Sequence, residues 1–451
     1  MNSAESAALA LVCRERGWSL AEDAQSADLV LLNTCSVRLT AEKRTLGRIA
    51  HYAGLKKKNR RQFTLVVAGC MAQRLGEKLK ADFPQIDYVM GTFARSNFPL
   101  ILEAVEKNDG EGESCAGNGA TGNRANIDIN EKAVFSFSNS HFEEGQFRSF
   151  IPIMHGCNNF CSYCIVPYVR GREVSRDPQN ILQEIRLVGE RGVREITLLG
   201  QNVNTYHWNH SGSSSKTDEI NFSALLKIVA DEAEKSGIRR VRFLSANPRD
   251  FSSSTIEVLA ANKIFCRHLH LPVQHGSDSV LNAMNRGYTA RRFLSLVNEV
   301  RSAMPGITIS TDILIGFPGE TEDDVRQTLD MMEEIKFIYS YMYHFNPREG
   351  TRAFDLEGRI AEEVKRERLS RVIALQNKHT NEILKGRIGS TEVVLIEGIS
   401  RKNADELITR TEKDEMAAVP GPASMIGSFG RITLSSLKGN TFRAKEIFLE
   451  I

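Results

Sequence analysis

The sequence has no long apolar run, almost no net charge and no disulfide framework. No stretch reaches the roughly eighteen consecutive apolar residues of a transmembrane helix, so no membrane span is expected. No basic-then-apolar leader opens the chain, and a cytoplasmic protein is the default. Basic and acidic side chains number 58 and 56. Bulk charge therefore announces no nucleic-acid partner, and any RNA surface has to come from local clustering. Eight cysteines in 451 residues, three of them close together, fit a reduced compartment with metal chemistry better than a set of disulfides. The Gly-rich turn Gly316-Phe317-Pro318-Gly319 lacks a following Lys-Ser/Thr pair, which rejects a P-loop. What is present is a 41% hydrophobic share, enough for ordinary cores, and a length that implies about two to four domains.

The most informative stretch is His155-Gly156-Cys157-Asn158-Asn159-Phe160-Cys161-Ser162-Tyr163-Cys164, whose thiols Cys157, Cys161 and Cys164 have C-x3-C-x2-C spacing. Three thiolates are one short of a closed tetrahedral set. They suit an iron–sulfur cluster whose remaining iron binds something else, such as reactive S-adenosylmethionine (SAM). A zinc site that borrows a fourth ligand, for instance His155, is the open alternative.

Upstream, residues 3–16 read as a helix. Two apolar runs of strand length, 28–33 and 63–68, lead into Thr34-Cys35 and Gly69-Cys70. The carboxyl tips of parallel strands line one edge of an open α/β sheet, where ligands bind, so Cys35 and Cys70 could meet there. The alternative is a pair of buried strand-end thiols without metal. Cys13, among Ala, Leu and Val on the helix, reads as a small hydrophobe. Lys56-Lys57-Lys58-Asn59-Arg60-Arg61 is a solvated loop or, through Lys57 and Arg60, a phosphate contact. It carries no interleaved aromatics for base stacking. From 106 to 145 the chain reads as a linker or insertion rich in Gly, Asn, Glu and Ser, with Cys115 a free thiol.

Six strand-and-helix units follow, which implies a parallel sheet or barrel. Strand-end polar residues are candidates for ligand contact: Gly200, Gln201, Asn202, Ser245 and Gln274, with Asp312 inside its strand. Each of them also fits a cap or a turn. His268 and His270 share a strand face, but no acid or thiol lies adjacent in sequence, so zinc is disfavoured there. Arg170, Arg172 and Arg176 either hold phosphates of an RNA loop or pair with acids inside the barrel. The Ser-rich loop 209–218 is expected to be mobile. A long charged helix over 360–385 leads to short strands at 392–398, 406–411 and 429–434, suggesting a small antiparallel barrel. From Lys385 onward ten basic and nine acidic residues leave +1, which does not prove RNA binding.

The cysteine spacing, Tyr163 before the last thiol, and the run Ile165-Val166-Pro167-Tyr168-Val169-Arg170-Gly171-Arg172 resemble the radical SAM methylthiotransferases. Within that family they look most like the type that modifies isopentenyl adenosine in tRNA. The resemblance implies an N-terminal open α/β domain over 1–105 and a partial (β/α)6 radical SAM barrel over 146–384. It implies an OB-like TRAM module over 385–451. It further implies SAM and two [4Fe-4S] clusters, one on Cys157, Cys161 and Cys164 and an auxiliary one on Cys35, Cys70 and a third cysteine. That third ligand normally lies in a Gly-Cys-Gln-Met-Asn run closing the first strand. Met1-Asn2-Ser3-Ala4-Glu5-Ser6 looks like its continuation. The first strand and the first ligand are therefore read as absent, with a start codon placed too late favoured over a shortened chain or genuine loss. By resemblance Tyr163 lies near the adenine, Gly200–Asn202 and Ser245 near the methionine and ribose, and the backbone of Gly316–Gly319 near the nucleoside. His275 stands where relatives often carry serine. The partners implied are a tRNA anticodon loop, an electron donor and a sulfur source, with the enzyme a monomer. Threonylcarbamoyl adenosine or a ribosomal-protein aspartate are alternative substrates, and a non-catalytic metal-cluster RNA-binding protein is the alternative of a different class.

Overall fold

The structure, a computed structural model, describes residues 2–24, 26–36, 39–58, 63–110, 137, 145–209 and 219–450. Arg60, Cys115, nearly all of the expected linker and the Ser-rich loop beyond Asn209 lie outside the described residues. The chain forms two compact units. The first comprises 1–141 with 155–158 and 164–174; the second comprises 142–154, 159–163 and 175–451.

The first unit runs α1 (Asn2–Glu15), β1 (Leu29–Thr34), α2 (Leu39–Lys58), β2 (Thr64–Gly69), α3 (Cys70–Asp82), β3 (Tyr88–Met90) and α4 (Phe98–Gly110), and includes α5 (Val166–Arg170). The strands form a parallel sheet in the order β1-β2-β3. Alternation along β2 sends Leu65 and Val67 to one face and Val66 and Ala68 to the other. The first face packs on Ile49, Met71 and Leu79, the second on Leu9, Met90, Phe98 and Leu102. Burial on both faces explains why the run reads as continuously apolar. α5 belongs here because Ile165 and Val169 bury themselves on Cys70.

The second unit holds six parallel strands. β4 (Arg148–Pro152), β5 (Glu195–Leu199) and β6 (Arg240–Phe243) form one sheet with β5 in the middle. β7 (His268–His270), β8 (Thr308–Ile315) and β9 (Tyr339–His344) form another with β8 in the middle. A parallel bridge between Val241 and Phe265 joins the two, so spatial order follows chain order. Helices α6 (Pro178–Glu190), α7 (Phe222–Lys235), α8 (Ser253–Ala261), α9 (Asp278–Ala283), α10 (Ala290–Ala303) and α11 (Glu322–Ile335) separate them. Their starts follow side-chain chemistry: Asp177, Asn221, Ser252 and Thr289 each accept a backbone N–H of the first turn. Thr321 and Asp324 form a reciprocal capping box on α11.

α12 (Glu362–Lys385) leads to β10 (Thr391–Ser400), β11 (Asn403–Thr411), β12 (Met416–Pro420), β13 (Phe429–Thr433), β14 (Ser436–Lys438), β15 (Thr441–Arg443) and β16 (Phe448–Leu449). They form one seven-stranded sheet, ordered β14-β15-β12-β11-β10-β13-β16. The sequence suggests a small antiparallel barrel; among the described residues the sheet is not closed, β12 and β15 run parallel, and β14 and β16 are its edges. The turn between β11 and β12 docks at the amino ends of the parallel strands. Arg242 donates to the carbonyls of Glu412 and Thr411, both at 3.0 Å, and Arg240 to those of Arg410 at 3.0 Å and Val393 at 2.7 Å. No described helix is long and apolar enough to cross a membrane.

Candidate functional site

Backbone bonds hold the cysteine stretch in place. Cys157 N–H donates to Gly171 O at 3.1 Å. Gly156, at φ +80°, has no room for a side chain, since a Cβ there would lie 2.0 Å from Arg172 O. Further along, Ser162 N–H donates to Met284 O at 3.0 Å, and Ser162 O accepts from Ala353 N–H at 2.7 Å. The Asn285 side-chain amide donates to Phe160 O at 3.0 Å. Phe160 and Asn285 themselves adopt left-handed φ of +46° and +58°. Cys157 and Cys161 are buried and Cys164 is half-buried. No disulfide joins any of the described cysteines.

Arg286, from the turn after α9, is buried beside Cys161. Its Nη1 donates to Cys161 Sγ at 3.2 Å and stands 3.5 Å from Tyr163 Oη. Nε donates to Tyr288 Oη at 3.0 Å and Nη2 to Pro272 O at 2.9 Å. Among the described residues no three His, Cys, Asp or Glu side chains are gathered for a single metal ion. Thiolates that each take a different iron of a cluster stand wider apart than ligands of one ion. Three thiols on one short stretch, with a buried cation on one sulfur, fit an anionic iron–sulfur cluster.

The strand-end candidates lie in the second unit, and several are strained. Ser245 and Gln274 hold φ of +67° and +74°, a conformation unfavourable for side-chain-bearing residues and concentrated at ligand sites. Gln274 is fixed in register, its N–H donating to Asp312 O at 2.9 Å and its O accepting from Leu314 N–H at 2.8 Å. Gly200 leaves no space for a Cβ, which would meet Met154 Cγ at 2.5 Å. Gln201 is half-buried. Asn202 is buried, its amide donating to Asp250 Oδ2 at 3.2 Å, while its Oδ1 finds no partner among the described residues. An unpaired buried acceptor fits a ligand that brings N–H or O–H groups, as SAM does. Asp250 also takes Arg249 Nε at 2.8 Å, and Arg249 reaches the side-chain oxygen of Asn159. A chain of polar contacts thus ties the cysteine stretch to the Gly200–Asn202 turn. The Gly316 turn is held by Glu320, whose buried carboxylate accepts Gly316 N–H at 2.7 Å and also faces Arg368 at 3.0 Å and His275 at 3.2 Å. His268 is occupied by hydroxyls, with Thr308 Oγ1 at 2.8 Å and Ser310 Oγ at 3.0 Å. His270 lies 3.0 Å from Ser310 Oγ and 3.5 Å from Asp312 Oδ2.

In the first unit Thr34 pairs with Gly69 at the carboxyl ends of β1 and β2. Cys35 and Cys70 each follow by one residue, so register alone sets them side by side. Gly69, at φ +95°, allows this close approach, since a Cβ would lie 2.5 Å from Thr34 O. Cys70 is buried and Cys35 half-buried. Arg170 is not a phosphate contact: it is buried, its Nη1 and Nη2 grip Glu5 at 2.5 and 3.1 Å, and its Nε donates to Cys70 Sγ at 3.2 Å. The acid it pairs with lies on α1, not in the barrel. Burial pushes the Glu5 carboxyl up, but Arg170 and then Arg95 outweigh it and hold the pKa at about 2. Burial raises the Cys70 thiol, with Arg170 pulling the other way. Arg176 pairs with buried Glu184, whereas Arg172 and Lys57 are exposed. Cys13 is a half-buried thiol packed against the sheet core.

Arg286, Glu5 and the Asn159–Arg249–Asp250 chain escaped the sequence reading. Glu5 carried a signal, as the only acid in the apolar first turns of α1. Arg286, in Asn285-Arg286-Gly287, has the composition of an ordinary exposed turn.

Residues 151–332 match the Radical SAM superfamily, and residues 1–91 match the Uncharacterized protein family UPF0004. Among curated proteins, a tRNA-2-methylthio-N(6)-dimethylallyladenosine synthase from Treponema denticola is 48% identical over 450 residues, covering 98% of this chain and 97% of the relative. A protein of the same name from Syntrophus aciditrophicus is 38% identical, covering 100% of this chain and 93% of its own. Among solved structures, a radical S-adenosylmethionine methyltransferase, TsrM, from Kitasatospora setae is similar in fold. It has a TM-score of 0.57 at 17% identity and covers 78% of this chain and 73% of its own.

Proposed function

This chain belongs to the tRNA-2-methylthio-N(6)-dimethylallyladenosine synthase family of radical SAM enzymes, and on that premise we propose that it places a methylthio group on C2 of N6-isopentenyl adenosine beside the anticodon of tRNA. An aromatic C2–H has no acidic proton for a base to remove, so the substitution needs a radical. Bound to the enzyme, a [4Fe-4S] cluster and SAM supply that chemistry. A base in a single-stranded loop is within reach without melting a duplex.

Cys157, Cys161 and Cys164 hold the cluster and leave one position for SAM. The observation that carries this assignment is Arg286, a buried cation aimed at Cys161 Sγ from 3.2 Å. Gly200, Gln201, Asn202, Ser245, Gln274 and Asp312 receive SAM, with Tyr163 beside the adenine. The left-handed φ of Ser245 and Gln274 and the unpaired Oδ1 of Asn202 support this reading. Cys35 and Cys70, side by side at two strand tips, take part in a second cluster that delivers sulfur. Lys57, Arg60 and Arg172 contact RNA phosphates. The parallel strands are a partial (β/α)6 barrel, and the seven-stranded sheet is an RNA-binding module of the OB-like TRAM type. The enzyme works in the cytoplasm as a monomer, with an external electron donor and a sulfur source.

Cys157→Ala is expected to abolish both SAM cleavage and RNA modification. Cys35→Ala is expected to spare cleavage and lose sulfur insertion. Mass spectrometry of 5′-deoxyadenosine and of methylthiolated RNA separates the two, and equal residual activities in both variants would sink this division of labour.

A further inference from the structure

Arg286 donates to Tyr288, Pro272 and Cys161, and only the sulfur can carry a negative charge at neutral pH. No carboxylate pairs with this buried guanidinium among the described residues. Such a cation is strongly unfavourable unless something nearby supplies the opposite charge. Arg170 makes a useful contrast, since it too donates to a cysteine sulfur but is neutralised by Glu5. The geometry points to Arg286 as a positioning residue whose counter-charge is the thiolate-bound cluster on the cysteine stretch, and whose role is to raise that cluster's reduction potential.

The inference rests on the reading of Cys157, Cys161 and Cys164 as cluster ligands. Reduction brings in one electron from an external low-potential one-electron donor. It takes up no proton at Arg286, because a guanidinium stays charged in both states. A fixed cation at a ligand sulfur favours the more negative, reduced state, and hydrogen bonds to cluster sulfurs shift potentials in this direction. Loss of the charge therefore makes the cluster harder to reduce. Arg286→Lys, which keeps the charge and loses the planar fork, retains most of the effect.

The test uses the full chain carrying Cys35→Ser and Cys70→Ser, reconstituted anaerobically so that one cluster is followed. Iron content is measured first, then the midpoint potential by titration with electron paramagnetic resonance. In Arg286→Gln the ratio of reduced to oxidised cluster at a fixed potential is expected to fall about tenfold, about 59 mV for a one-electron couple. Arg286→Lys should stay near the parent. An Arg286→Gln protein that loads iron and titrates at the parent potential overturns the inference while leaving the ligand reading intact. A parent that loads no iron overturns both. If Arg286→Gln cannot hold iron, Arg286→Lys decides: iron loading near the parent potential supports the charge role, and failure to load overturns it.

Discussion

At the scale of single residues, the first unit depends on one buried ion pair. Glu5 and Arg170 are both almost wholly enclosed, and Arg95 adds a second guanidinium at 3.2 Å from Glu5. Removing the acid takes away the carboxylate that both guanidiniums face. Glu5→Gln is expected to destabilise the fold by about 3–5 kcal/mol, read as a lowered midpoint in urea unfolding of the cluster-free protein. Sequence spacing left Arg170 open between a phosphate and an acid. Its partner lies 165 positions away, and a short pattern around Arg170 holds no information about a contact that distant. Cys35 and Cys70 were legible, because parallel strands of similar length bring their tips together whatever lies between. Arg286 was not, since burial of a turn residue is decided by tertiary packing.

At the scale of elements, β1 and β2 were found within a residue of their observed bounds, because buried strands announce themselves by uninterrupted apolar runs. Tyr88–Met90 and the last strands of the seven-stranded sheet were missed; most are two or three residues long, too short to establish a period. Met416-Ala417-Ala418-Val419-Pro420 has neither alternation nor β-branched density. Within β7, burial holds the His268 pKa at about 4, below its ordinary 6.5, and Asp414 only partly opposes this. The unfolded chain therefore takes up a proton before the folded one does. The stability due to neutral His268 is complete above about pH 6.5 and is lost as pH falls toward 4. Between pH 7.5 and 4.5 the loss is on the order of 2 kcal/mol. Thermal unfolding at both values should show a smaller pH effect in His268→Gln than in the parent; an equal effect would assign the acid sensitivity elsewhere.

At the scale of the whole molecule, the seven-stranded sheet and the parallel strands form one unit because arginines stitch them together. Arg242 satisfies the Thr411 and Glu412 carbonyls and lies 3.3 Å from Glu195 Oε2. Arg242→Met leaves those groups without their donor and is expected to destabilise by about 2–3 kcal/mol. Differential scanning calorimetry of the cluster-free protein checks this. A single transition moving down as a whole fits one cooperative unit, and a split into two transitions would show that the sheet folds independently.

The turn between β11 and β12 has a consequence for traffic. It covers the amino ends of β6 and β8 with the chain's own backbone, Arg242 meeting the Thr411 and Glu412 carbonyls and Thr308 Oγ1 standing 3.4 Å from Lys413 O. On the proposed reading of Ser245 and Gln274, the cosubstrate is then expected to enter at the carboxyl ends and to bind before the RNA; order-of-addition kinetics check this, and RNA that binds first without slowing cosubstrate entry would overturn it.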